Sequence, residues 1–331
     1  MKYPSTLTAL CSFSRSPEFA SWLQGLLKSD LFLSRRAELL IPSNHEEHEQ
    51  FLARAEVYAT FRFSEDELRK APNLRWLHMG VAGVDSAIFP AMQQSKIVLT
   101  SSVGLHDETV PVAAWAFVLA FETGLHQGYC QKFAGIWDRK PITSQRSLPS
   151  RRRILIVGTG RIGGRIARFA KQAGMEVWGI RRSKAKTKLP NFDRVGSTSH
   201  FHQFLAEADY VVLSLPGGAE THHIIGAKEL ACMKKSAYLI NMARGTVVDE
   251  PALLAALQNG TIAGAGLDVY AQEPLPAEHP FYKMANVAMT PHISGETADY
   301  AIRAAEFFLK NLRRYLRGQP LLNIVDKKRG Y

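Results

Sequence analysis

Cysteine is scarce in this chain, with only Cys11, Cys130 and Cys232 among 331 residues. They stand far apart and form no CxxC pair. Neither a disulfide framework nor a thiolate zinc site is expected, and no metal centre is predicted. This usage fits a reducing cytoplasm, which is the expected compartment. Long apolar runs are also missing. The longest, residues 112–121, falls short of the roughly 20 residues that cross a bilayer, so it reads as a buried helix and no membrane partner is expected. The N-terminus has one early lysine and no sustained apolar stretch, which does not read as a signal peptide.

Acidic residues are in deficit. Thirty Asp and Glu face 41 Lys and Arg, for a net charge of +11. The excess is scattered over residues 151–153, 181–182, 313–314 and 327–329. No long basic tract and no stripe of basic and aromatic residues appears, so nucleic acid is not an expected partner. The charge reads as a solvated surface whose summed field favours anionic ligands. Internal repeats and low-complexity segments are absent too. What is present is ordinary globular composition, 46% hydrophobic and 21% charged. The length predicts two domains.

Strand-like and helix-like segments alternate along the chain. Strands are predicted at 7–12, 38–41, 57–60, 74–79 and 97–100, with helices at 17–28, 46–54 and 65–70 between them. A nearly all-round apolar helix follows at 109–123, expected to be buried and to lie between domains. A polar, proline-bearing connection covers 139–151. A second alternation then places strands at 154–157, 176–180, 210–215, 237–241, 264–269 and 287–290, and helices at 161–173 and 297–317. Such βα alternation predicts an α/β fold with two doubly wound parallel sheets.

The clearest motif is Gly158-Thr159-Gly160-Arg161-Ile162-Gly163, a GxGxxG placed between an apolar strand and a helix. Gly158 permits the tight turn, Gly160 lets the backbone approach a pyrophosphate, and Gly163 lets helix and strand pack closely. The helix N-terminus offers free N–H groups to the phosphates. A plain glycine-rich turn is the bland alternative, but three glycines in register argue for a dinucleotide. An NAD-binding unit usually carries an Asp or Glu about 20 residues on, at the end of the second strand. Here that strand delivers Arg181, Arg182 and Ser183. Guanidinium forks suit a 2′-phosphate, so NADP is the expected cofactor, with NAD as the alternative.

Further unusual polar residues stand beside later strand ends: Arg244, Asp268, Glu273 and His292. Ligands of parallel sheets bind outside the carboxyl ends of the strands, so these four could share a cleft. An arginine can hold a carboxylate and polarise a neighbouring carbonyl. A histidine can move the proton that accompanies hydride transfer, and a carboxylate can orient it. Singly, each residue is more often a solvated or capping group. Together they suit carbonyl reduction.

In order along the chain, Leu213-Ser214-Leu215-Pro216, Glu220-Thr221, Arg244-Gly245, Asp249-Glu250, Leu267-Asp268-Val269, Glu273-Pro274 and Pro291-His292 resemble the signatures of the D-isomer-specific 2-hydroxyacid dehydrogenase family. The resemblance covers nearly the whole chain. It implies a Rossmann cofactor domain (104–295) inserted in a flavodoxin-like substrate domain (1–103 and 296–331), and a homodimer joined through the cofactor domain. Arg244, Glu273 and His292 would be catalytic. Cofactor contacts would extend from the glycine loop and residues 181–183 to Leu215, Pro216, Thr221, Met242, Ala243, Arg244, Asp268, His292 and Gly295. Asp268 would face the nicotinamide carboxamide. Substrate would meet Arg244, His292 and the backbone N–H groups of Val81, Ala82 and Gly83, since the stretch 79–85 resembles the family's substrate loop.

The implied activity is hydride transfer between NAD(P)H and C2 of a small 2-oxo or 2-hydroxy acid, with an NADPH-dependent glyoxylate or hydroxypyruvate reductase in first place. A dinucleotide-sensing binding protein, as among the corepressor relatives of this fold, is one alternative. An NAD-dependent dehydrogenase of another 2-hydroxy acid is the other. Formate dehydrogenases fit less well, because they carry glutamine where Glu273 stands.

Overall fold

The computed structural model describes residues 6–144, 146–182 and 188–330. The chain divides into two compact units, one of residues 1–105 and 297–331 and one of residues 106–296.

The first unit holds β1 (Leu7–Cys11), β2 (Ala37–Leu40), β3 (Val57–Thr60), β4 (Trp76–Met79) and β5 (Val98–Ser101). They form one parallel sheet in the order β2-β1-β3-β4-β5. The helix Tyr300–Leu316 returns from the end of the chain to this unit. Its buried side, Ala304, Ala305, Phe308 and Leu312, packs with Leu7, Ala9, Val57 and Trp76. That spacing is one face of a 3.6-residue helix.

The second unit holds β6 (Arg153–Val157), β7 (Glu176–Ile180), β8 (Arg194–Gly196), β9 (Tyr210–Leu213), β10 (Tyr238–Asn241), β11 (Gly264–Leu267) and β12 (Val287–Met289). The order is β12-β11-β10-β9-β6-β7-β8, all parallel. Alternate residues serve opposite faces. Leu155, Val157, Val211, Leu213 and Leu239 enter one core, whereas Ile154, Ile156, Val212 and Ile240 enter the other. Apolar residues at successive positions are therefore what a sheet covered on both faces requires. The order reverses direction at β6, so β6 and β9 diverge into connections on opposite sides. This is the switch point where such sheets bind ligands.

Every strand expected from the sequence forms, and so does the doubly wound parallel architecture. The helices depart from the sequence reading in several places. The apolar helix Thr109–Glu122 is buried on one side only. Val110, Ala114, Phe117, Val118 and Phe121 pack on the sheet, but Val112 and Leu119 are exposed. It lies wholly within the second unit. The helix Leu125–Ala134, unassigned from the sequence, leaves Leu125, Tyr129 and Phe133 exposed and completes an apolar groove of about 870 Å³. The stretch read as a plain connection contains the short helix Lys140–Thr143. The helices Phe201–Glu207, Ala227–Cys232 and Glu250–Gln258 and the short edge strand β8 also escaped the sequence reading. Asp249 caps the last of these helices through the Ala252 N–H, a contact worth about 1 kcal/mol.

Among the described residues, no single helix is long and apolar enough to cross a membrane. No cluster of three or more metal-ligating side chains is found among them either.

Candidate active site

The glycine loop opens the helix Arg161–Gln172 at the carboxyl end of β6. Gly158 sits at φ 103°, in the left-handed region that favours glycine. A Cβ on Gly163 would stand 2.0 Å from the Gly158 carbonyl oxygen. The loop and helix can therefore close only without that carbon. Ser214, at the end of β9, donates to the Gly158 carbonyl at 2.8 Å and holds the turn from the neighbouring strand.

Gly160 differs from the other two glycines. A Cβ there would meet nothing within 4 Å. The helix that follows has no side-chain cap, so its first N–H groups remain to be satisfied. Open space in front of uncapped N–H groups fits a pyrophosphate. Arg161 is drawn sideways, its Nε donating to Asp107 at 2.6 Å.

Arg181 and Arg182 follow β7, and Ser183 lies outside the described residues. No acid stands at this strand end. Arg182 pairs with Glu220, an exposed contact on the loop after β9. On that loop, Thr221 donates to the carbonyls of Pro216 and Gly218 at 2.8 and 3.1 Å and braces the turn. Leu215 packs against the core beneath it.

Arg244 follows β10. Asn241 shapes the approach, since its Oδ1 accepts from the Ala243 N–H and its Nδ2 donates to the Arg244 carbonyl, both at 3.0 Å. This is the local turn that asparagine forms when it bonds the backbone two or three residues on. The side chains of Met242 and Ala243 are buried, so the backbone is what they offer a ligand. Arg244 Nη1 donates to the Ala243 carbonyl at 2.8 Å. Gly245 touches the segment after β11 directly, because a Cβ there would lie 1.9 Å from the Tyr270 carbonyl.

Glu273 accepts from the Tyr270 N–H at 2.9 Å through Oε1, and its Oε2 lies 2.6 Å from His292 Nδ1. His292 is a non-glycine residue at φ 52°, a conformation that costs on the order of 1 kcal/mol or more unless its surroundings impose it. Asp268 supplies that imposition. Fully buried at the end of β11, it accepts from Thr290 Oγ1 (2.6 Å), the Ile293 N–H (2.9 Å) and the Ser294 N–H (3.1 Å). The bonds bracket His292 on both sides. Glu273 takes Nδ1, and Nε2 has no protein partner among the described residues, on a side chain that is 46% exposed. Gly295 closes the segment against the His106 ring.

The second unit thus gathers the glycine loop, Arg181, Arg182, Leu215, Pro216, Thr221, Arg244, Asp268, Glu273, His292 and Gly295 on segments that leave the carboxyl ends of its strands. Val81, Ala82 and Gly83 belong to the first unit, just after β4, and their N–H groups have no acceptor among the described residues. Several supporting roles escaped sequence reading. Asp107 holds Arg161, Ser214 holds Gly158, and Thr290 and Tyr270 fix the two acids. Ser214 and Thr290 stood at strand ends and could have been found there. Nothing in the sequence marked Asp107 as the partner of a residue 54 positions away.

Residues 115–294 match the family model described as D-isomer specific 2-hydroxyacid dehydrogenase, NAD binding domain. The chain belongs to the D-isomer specific 2-hydroxyacid dehydrogenase family. The glyoxylate reductase of Korarchaeum cryptofilum is 34% identical over 263 residues, 78% of each chain. The glyoxylate/hydroxypyruvate reductase B of Yersinia pestis is 34% identical over 291 residues, 87% of this chain and 89% of the relative. The Xanthobacter autotrophicus D-isomer specific 2-hydroxyacid dehydrogenase, solved with NADPH and MES, superposes with a TM-score of 0.82 at 27% identity, covering 98% of this chain and 99% of that one. As a member of the 2-hydroxyacid dehydrogenases, this protein is an NAD(P)-dependent oxidoreductase acting on 2-hydroxy acids and their 2-oxo counterparts.

Proposed function

We propose that the protein is an NADPH-dependent reductase of small 2-oxo acids, with glyoxylate and hydroxypyruvate as its foremost substrates. The observation that carries the cofactor preference is the end of β7, where Arg181 and Arg182 stand and no acid is present. A carboxylate there would accept from a ribose 2′-hydroxyl and repel a phosphate, whereas guanidinium groups attract it. The substrate class follows the names of the relatives, glyoxylate reductase and glyoxylate/hydroxypyruvate reductase.

Bound NADPH supplies the hydride. Arg244 holds the substrate carboxylate and polarises the C2 carbonyl. His292, steadied at Nδ1 by Glu273, gives the carbonyl oxygen its proton from Nε2. The product is the 2-hydroxy acid. Asp268 keeps the His292 turn in place and borders the nicotinamide side of the site. The unit of residues 1–105 and 297–331 is the substrate domain, and its Val81, Ala82 and Gly83 N–H groups take a carboxylate.

We place the enzyme in the cytoplasm as a homodimer joined through the cofactor unit. The apolar groove lined by Val112, Tyr129 and Phe133 supports that assembly, since surfaces of this kind mark association sites. Light scattering should return twice the chain mass, and Tyr129→Glu should halve it.

The deciding experiment mixes the purified protein with glyoxylate or hydroxypyruvate and follows NADPH and NADH oxidation separately. Fast turnover with NADPH and much slower turnover with NADH is the expected result. Comparable rates would remove the cofactor preference. Nucleotide binding without turnover of any 2-oxo acid would favour the sensor reading.

A further inference from the structure

The segment after β4 has its carbonyls and its N–H groups in different circumstances. The Gly80 carbonyl accepts from the Tyr300 hydroxyl at 2.8 Å, a bond across 220 residues of chain. The next carbonyl, that of Val81, accepts from the Ser102 N–H at 3.0 Å. The N–H groups of Val81, Ala82 and Gly83 have no acceptor among the described residues.

In a trans peptide the C=O and N–H point in opposite directions. Fixing the Gly80 carbonyl therefore turns the Val81 N–H away from Tyr300, and fixing the Val81 carbonyl turns the Ala82 N–H away from Ser102. Residues 80–82 form a bend, and successive unbonded donors at a turn of the backbone can face one anion.

Both clamps are themselves held. The Tyr300 ring lies 5.5 Å from that of Phe61. Phe61 and Phe13 also press on Gly80, where a Cβ would come within 2.6 Å of either ring. Behind Ser102 runs a buried polar chain. Trp76 Nε1, which can only donate, bonds Thr100 Oγ1 at 2.8 Å. Thr100 Oγ1 lies 2.8 Å from His78 Nδ1, and His78 Nε2 lies 3.1 Å from Ser102 Oγ. Burial pushes the His78 pKa down to about 3, so the ring is neutral and relays bonds without carrying charge.

We propose that Tyr300, working with Ser102, is a positioning residue that aims the Val81 and Ala82 N–H groups at the substrate carboxylate. The inference rests on the carboxylate role proposed for this loop. The role assigned to Tyr300 is indirect. It acts by fixing a carbonyl on the far side of the same peptide.

The test uses Tyr300→Phe in the full-length enzyme, which keeps the ring against Phe61 and removes only the hydroxyl. KM for glyoxylate should rise about fivefold, the effect of one lost hydrogen bond, with kcat and NADPH affinity within twofold of wild type. Calorimetry with oxalate, a dicarboxylate probe, should show the same fivefold weakening. Amide exchange over residues 80–84, with and without oxalate, separates the two layers of the argument. Oxalate protection in wild type, reduced in Tyr300→Phe, supports the inference. Equal protection and an unchanged KM in the variant would overturn the role of Tyr300 and leave the loop's role standing. Absence of oxalate protection in wild type would overturn the loop's role, and the inference with it. A matching loss of NADPH affinity would mark general damage and also overturn it.

Discussion

Glu273 and His292 share one hydrogen bond of 2.6 Å, and each is fixed on its other side by backbone: Glu273 by the Tyr270 N–H, His292 by a turn that Asp268 brackets. The acid therefore orients the ring through Nδ1 and leaves Nε2 without a protein partner among the described residues, as the proposed proton transfer requires. Glu273→Gln keeps the shape and removes the charge. We expect kcat for 2-oxo acid reduction to fall by about 10- to 100-fold, the scale of impaired proton transfer, with the KM for NADPH unchanged. Steady-state kinetics checks this, and a wild-type kcat in the variant would show that the pair is only structural.

The ion pair between Arg182 and Glu220 offers a test of the proposed NADPH preference. Both side chains are exposed, so the pair itself adds little stability. Its effect is to engage a guanidinium that could bind a 2′-phosphate. Glu220→Gln should lower the KM for NADPH a few-fold and leave that for NADH alone. Arg181→Ala should reduce the ratio of NADPH to NADH kcat/KM by about tenfold or more, in line with the loss of a charge-assisted bond. Parallel titrations with the two nucleotides read both effects. Unchanged ratios would mean that these arginines face solvent.

Buried His78 makes the first unit sensitive to acid. Its folded pKa is about 3, against about 6.5 for an unfolded histidine. Between those values the unfolded chain binds a proton that the folded chain refuses. The contribution of the neutral His78 ring to stability is therefore full above pH ~6.5 and is lost as pH falls toward 3. Melting curves between pH 7 and 5 should drop more steeply for wild type than for His78→Gln, whatever the absolute Tm of the variant. Parallel slopes would show that another group governs acid sensitivity.

Much of this architecture was legible in the sequence, because central parallel strands are short apolar runs. β3 and β7 fall where the pattern put them, and the glycine loop lies between its strand and helix as its mechanism demands. The helix Thr109–Glu122 was misjudged because apolarity does not say what covers a face. Val112 and Leu119 are as apolar as Val118 but are exposed. Glu250–Gln258 opens with a proline and escaped notice, although Asp249 before it is a good cap. In the candidate site, the residues proposed to react carried recognisable types at strand ends. Their supports did not, since Asp107 and Tyr300 act on residues 54 and 220 positions away and no local pattern records such pairs.

The three glycines of the nucleotide loop answer to different demands. Gly158 and Gly163 are required by the chain itself, one by its backbone angle and the other by a carbonyl that leaves no room for a methyl group. Gly160 is surrounded by space. A population of this gene drifting under pressure only to stay folded would retain the outer two letters and lose the middle one. The motif would decay from its centre, and an intact middle glycine in any descendant would be a record of continued use.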